Sequence, residues 1–111
     1  TNIGNNLTEY NKRGSVYDDG ITPKIVLFNL DNSILSSKKI LHCDINDVTP
    51  NDILYAFGGV SRIDMLIKYF DILNQYGATL FTKSDKNTKF VEKLLKKVNM
   101  DKYFKYKNGN N

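Results

Sequence analysis

Four side chains of this sequence could serve one kind of chemistry together: Asn29, Asp31, Thr82 and Ser84. Asn29 and Asp31 follow the apolar run Ile-Val-Leu-Phe at 25–28, and Thr82 closes a second run, Ala-Thr-Leu-Phe, at 78–81. If the two runs are neighbouring parallel strands, they lie about 4.8 Å apart. Both polar clusters then share a crevice at the carboxyl end of the sheet, where open α/β proteins gather their sites. Thr82 supplies a hydroxyl, and a helix opening near Ser84 supplies free backbone N–H groups, so a phosphate-type anion suits that corner. Taken singly, each has a plainer reading: Thr82 ends a strand and Ser84 caps a helix.

His42-Cys43 is the other pair that invites a catalytic or metal reading. Adjacent residues on an extended segment point to opposite faces, so one ion would hardly meet both, and the pair is read as chemically silent. Cys43 is the single cysteine. No internal disulfide can form, which suits an intracellular, reducing compartment: the cytoplasm or, with a processed amino terminus, the mitochondrial matrix. The chain begins at Thr1 without methionine, which leads us to expect processing or excision from something longer.

The 111 residues fit one domain, or part of a larger one. No apolar run approaches the ~18–20 residues of a membrane span. The net charge of +4 rests mostly on lysine. A nucleic-acid binder would more often cluster arginine with exposed aromatics, so a solvated lysine surface is the favoured reading and nucleic acid a weakly supported partner.

Residues 1–23 hold turn formers and no sustained apolar period, and read as an irregular arm, with Tyr10 and Tyr17 placed to pack on a neighbour. The run at 24–28, apolar on both faces, fits a central parallel strand covered by helices on both sides. Thr49-Pro50 looks like a helix start, with Pro50 at the first position. Ser61-Arg-Ile-Asp64 resembles a capping box. Behind it Ile63, Leu66, Ile67, Phe70 and Leu73 keep a helical period that ends at Tyr76-Gly77. A second helix sets Phe90, Val91, Leu94, Leu95 and Val98 on one face, with Ser84 or Asp85 as its cap. A third strand begins near Tyr103-Phe104. The domain is thus expected over 24–106, with 107–111 as a flexible tail. Phe70 and Leu94 are expected to be buried against the strand at 25–28.

The string Val26-Leu-Phe-Asn-Leu-Asp-Asn-Ser33 resembles the first motif of the haloacid dehalogenase (HAD) superfamily, four apolar residues and then Asp-x-Asp-x-Thr. Gly77-Ala-Thr-Leu-Phe-Thr82 resembles its second, an apolar strand closing on Thr or Ser. The resemblance runs from Lys24 to about Phe104. It implies an α/β, Rossmann-like parallel sheet with flanking helices, truncated here after the second or third strand. It also implies phosphoryl transfer through an aspartyl-phosphate, balanced by Mg²⁺. By position, Asn29 takes the nucleophile's place, Asp31 that of the acid–base, Thr82 with Ser84 the phosphate-binding corner, and Ser33 the usual Thr. Asn29 and Asp31 would also be the metal ligands.

The departures weigh more. Asn29 carries a neutral amide, a poor nucleophile that brings no carboxylate to Mg²⁺. The family's later Lys and acidic motifs have no clear counterpart before Asn111. Asn29 is natural in a degenerate domain, or an engineered Asp→Asn, or belongs to the amino-terminal part of an enzyme. The expectation is a HAD-like domain without phosphatase activity, binding Mg²⁺ weakly or not at all, and serving as a structural or protein-binding subunit, with a protein partner or its own copies. The alternative is a Mg²⁺-dependent HAD phosphatase seen as a fragment or mutant.

Overall fold

A computed structural model describes residues 19–110 of the chain. Up to Asp18, the arm expected at 1–23 lies outside them. Its last residues form a turn in which the Asp19 carboxylate accepts hydrogen bonds from the backbone N–H groups of Ile21 and Thr22 and from the Thr22 hydroxyl.

Three strands make one parallel sheet in the order β1-β2-β3: β1 (Ile25–Asn29), β2 (Thr79–Lys83) and β3 (Phe104–Lys107). Ile25 pairs with Thr79 and Asn29 with Lys83, so the ends of β1 and β2 are level. Between β2 and β3 the register slips after Leu80, which faces Phe104, so that Phe81 faces Tyr106.

Two helices lie in the first crossover. In α1 (Pro50–Phe57), Thr49 and Asp52 form a complete capping box, and Pro50 stands where its missing N–H is harmless. The helix ends at Gly58, whose φ of +83° favours glycine. A Cβ there would lie 2.9 Å from Arg62 Cδ. The turn is therefore closed to side chains by conformation and by crowding. α2 (Val60–Gln75) follows at once, with Gly59 at its N-cap. The capping box expected at Ser61–Asp64 is absent, because the tight Gly58-Gly59 link starts the helix one residue before Ser61 and Ser61 is already inside the first turn. The second crossover contains α3 (Thr88–Lys97), capped by Asn87 accepting from Phe90 N–H at 2.8 Å, not by Ser84 or Asp85. Ser84 and Asp85 are occupied elsewhere. α3 ends at Lys97 with Val98 as its C-cap, and Asn99 just beyond takes left-handed geometry at φ 58°, a conformation Asn tolerates better than most residues.

Both crossovers step one strand in the same direction. Right-handed crossovers of this kind place their helices on one face of the sheet, and the burial agrees. Phe70 of α2 is wholly buried between Phe28 and Phe104, with ring centroids 5.2 and 4.9 Å away and edge-on geometry. Leu80 is wholly buried on this face as well. On the opposite face Ile25 and Leu27 are 67% and 57% exposed. The expectation that β1 is central and covered on both sides therefore fails among the described residues: β1 is an edge strand covered on one face. Leu94 is buried, but α3 packs mainly against β3 and the short turn at Asp101–Tyr103 rather than on β1. Strand order explains that too, since the second crossover spans β2 and β3.

No described helix is long and apolar enough to cross a membrane.

Candidate functional site

β1 ends in a wide turn. Leu30–Ile34 closes one π-type turn, with Leu35 N–H bonded to Leu30 C=O at 3.0 Å. Such turns are rare and concentrate at functional sites, because the extra residue re-aims side chains. Asn29 starts it: the amide oxygen accepts Asp31 N–H at 3.1 Å, a local bond typical of Asn two residues before a donor. Ser33 Oγ donates to Asn29 C=O at 2.7 Å. Leu30 and Ile34 are wholly buried and anchor the turn from below.

Asp31, 6% exposed, is carried across to the loop after β2. Its Oδ1 accepts the Ser84 hydroxyl at 2.6 Å, and its Oδ2 accepts Asp85 N–H at 3.0 Å. Ser84 Oγ in turn accepts Lys86 N–H at 3.0 Å, so the hydroxyl relays between the carboxylate and the approach to α3. Charge-assisted bonds of this kind are stronger than neutral ones. They join segments 53 residues apart.

Of the residues singled out from sequence, the fold brings Asn29, Asp31 and Ser84 together, around a cleft of about 130 Å³ that Asn32, Lys83 and Asp85 complete. Sites for drug-sized ligands run to roughly 300–1,000 Å³, so the cleft is sized for a small ion rather than for an organic substrate. Thr82 stands apart. It is wholly buried, one register step below the Asn29–Lys83 pair, and its hydroxyl donates to Asn108 C=O at 3.0 Å. In this arrangement it ties down the end of β3. Residues 108–110, expected from sequence to be part of a flexible tail, are held further by Gly109 N–H to Thr88 Oγ1 and Asn110 N–H to Lys86 C=O.

Arg62 is a site residue that sequence reasoning missed. Its guanidinium donates to Ile34 C=O at 2.6 Å, Phe57 C=O at 2.9 Å and Ser33 C=O at 3.2 Å. One side chain thereby satisfies carbonyls of both the π-type turn and the end of α1, and fixes the turn that aims Asp31. The only signal in sequence is an arginine shortly after Gly58-Gly59, which does not say which carbonyls it reaches.

Asn29 and Asp31 are the residues the HAD resemblance would give to Mg²⁺. Mg²⁺ is commonly held by one or two carboxylates, with waters and phosphate oxygens filling the other positions. Of these two residues only Asp31 brings a carboxylate, and two of its roughly four lone-pair sites are already used. Asp85 adds a second carboxylate to the lining of the cleft. Among the described residues, no three of His, Cys, Asp and Glu converge to hold a metal ion. His42 and Cys43 are both exposed, at the end of a short turn (Lys39–His42) and just after it.

The chain matches no protein-family model, and no curated protein and no solved structure is detectably similar to it.

Proposed function

We propose that this chain is a HAD-like domain without phosphatase activity, acting as a structural or protein-binding element of a larger assembly. The observation that carries the reading is the occupation of Asp31. The carboxylate in the acid–base position holds Ser84 and Asp85 N–H, and so joins the two strand-end loops. Beside it, the residue in the nucleophile position is an amide turned back onto its own turn. Neither a general acid with a free proton path nor a covalent nucleophile is supplied by these two groups as they stand.

The runner-up is a Mg²⁺-dependent phosphatase seen as a fragment or an Asp→Asn variant. The polar cleft at the carboxyl ends of parallel strands favours it. Bound Mg²⁺ would supply charge compensation for a phosphoryl group.

The two readings separate in one assay. The chain, with Mg²⁺ present, should not hydrolyse para-nitrophenyl phosphate above the buffer rate. Asn29→Asp is a mild change, because a carboxylate accepts the same Asp31 N–H, and it too should stay inert. Sustained turnover by Asn29→Asp, which the Asp→Asn reading requires, or by the unsubstituted chain, in either case free of contaminating phosphatase, would overturn the proposal.

A further inference from the structure

We infer that the uncovered face of the sheet seats a single amphipathic helix, supplied by a partner polypeptide, whose apolar stripe is flanked by acidic residues. This rests on the binding-element reading above and names its surface and partner.

The face is continuous. Register sets Leu27 beside Phe81 and Phe81 beside Tyr106, making an apolar row across all three strands, with Ile25 one pair behind on β1. Leu27 is 57% and Tyr106 49% exposed, and Phe81 is half-buried, its ring stacked on Tyr106 with centroids 5.1 Å apart. Parallel sheets are stable when both faces are covered. Among the described residues, this one has helices on one side only.

Dimensions select the occupant. Three strands span about 10 Å between the outer two, and five residues of strand run about 17 Å. A helix with its side chains is about 10–12 Å wide, and 17 Å of it is roughly eleven residues. One helix of three turns therefore covers the face.

Charge selects its chemistry. The three strands carry Lys83, Lys105 and Lys107 and no Asp or Glu. Lys83 is exposed at the carboxyl end of the face, and Lys105 Nζ lies 5.6 Å from the Tyr106 ring centre. Lys107 belongs to the covered face, bonded to Phe104 C=O. Two copies stacked face to face would oppose lysine to lysine within a chain of net charge +4. Acidic residues beside a helix's apolar stripe would instead meet Lys83, at the carboxyl end of the face on β2, and Lys105, exposed on β3 next to Tyr106, which favours that partner in both rate and register of docking.

The test uses the full chain, isotope-labelled, and a synthetic peptide of about 14 residues with leucines at helical i, i+3, i+4, i+7 spacing and glutamates on both flanks. A second peptide replaces every glutamate with lysine. The acidic peptide should saturate and shift the resonances of Leu27, Phe81 and Tyr106, and the basic one should bind about tenfold more weakly or worse. Leu27→Lys, at an exposed position that leaves the fold intact, should weaken the acidic peptide by about tenfold. Equal binding of the two peptides, or none, overturns the inference. So does a shift pattern centred on Ile53, Leu54 and Ile63, in the groove between α1 and α2, though that result would leave the binding-element reading standing. Binding that appears only after deletion of residues 1–18 overturns it in favour of the chain's own segment. A dimer in sedimentation that Leu27→Lys dissociates overturns it in favour of a second copy. Phosphatase turnover by the same sample would remove the non-catalytic reading and leave the seat untouched.

Discussion

Replacing Asp31 with alanine separates a structural carboxylate from a catalytic one. A catalytic acid held for reactivity is commonly neutral or unfavourable for stability, and its removal leaves the fold as stable or more so. A bridging carboxylate behaves in the opposite way. Asp31 accepts two hydrogen bonds, from Ser84 Oγ at 2.6 Å and Asp85 N–H at 3.0 Å, at a site only 6% exposed. Bonds to a charged group contribute about 1.5–3 kcal/mol each. The upper end of their sum is not expected, because Asp85 is exposed and water can replace part of its bond, while Ser84 keeps its bond from Lys86 N–H. Asp31→Ala should therefore cost about 2–4 kcal/mol, a large share of a small domain's 5–15. Asp31→Asn keeps the shape but loses the charge, and its amide can accept through one oxygen only, so about 1–2 kcal/mol is expected. The measurement is urea unfolding followed by far-ultraviolet circular dichroism, with Ser84→Ala and the double variant completing a cycle. Coupling between positions 31 and 84 should be about 1 kcal/mol or more. Unchanged or increased stability of Asp31→Ala, or zero coupling, would refute the clamp and return Asp31 to the candidates for chemistry.

Phe70→Ala should cost about 3–5 kcal/mol and Leu94→Ala about 2–5, read by the same unfolding experiment, since both are wholly buried and Phe70 also loses its edge-on contacts with Phe28 and Phe104. Thr49→Ala should remove about 1 kcal/mol with the cap of α1. Acid sensitivity follows from two carboxyls. Asp19 is lowered from 3.8 to about 2 by hydrogen bonds from Thr22 N–H first, then the Thr22 hydroxyl and Ile21 N–H. Asp52 is lowered by Thr49 N–H and then the Thr49 hydroxyl. A depressed folded value stabilises the fold above the unfolded value near 3.8, and the contribution is lost as pH falls through the folded value. Asp19→Ala should thus be less stable than the parent at pH 7, with the difference shrinking as pH falls from about 4 down through 2, and Asp52→Ala should narrow in the same direction, in thermal unfolding across that range.

The local elements were legible because local signals suffice for them. Thr49-Pro50 announced α1 by its cap and its proline, and Ile63 to Leu73 announced α2 by period. What failed was relational. The run at 24–28 is apolar on both faces, and sequence does not say whether a second layer meets the outer one; strand order decided that, and no local pattern encodes strand order. Ser61 looked like a cap because the conformation that Gly58-Gly59 would adopt was invisible. Thr82 and Ser84 could both have met Asp31, and only the register, with Asn29 opposite Lys83, shows which of them is in reach. Arg62 acts through three carbonyls, and carbonyls have no letter in a sequence.

The pairing of β1 with β2 also sets a clock. Asp31 waits for a partner 53 residues further along the chain, and at a synthesis rate of about 5–20 residues per second that interval is roughly 3–10 s. Throughout it, Ile25, Val26, Leu27 and Phe28 are made before β2, the strand they pair with among the described residues. A nascent chain therefore displays an apolar, β-forming run before β2 can pair with it, and slow translation between Leu35 and Phe81 would lengthen that exposure. Chaperone dependence during synthesis, rather than weak final stability, is where this topology would first be felt in a cell.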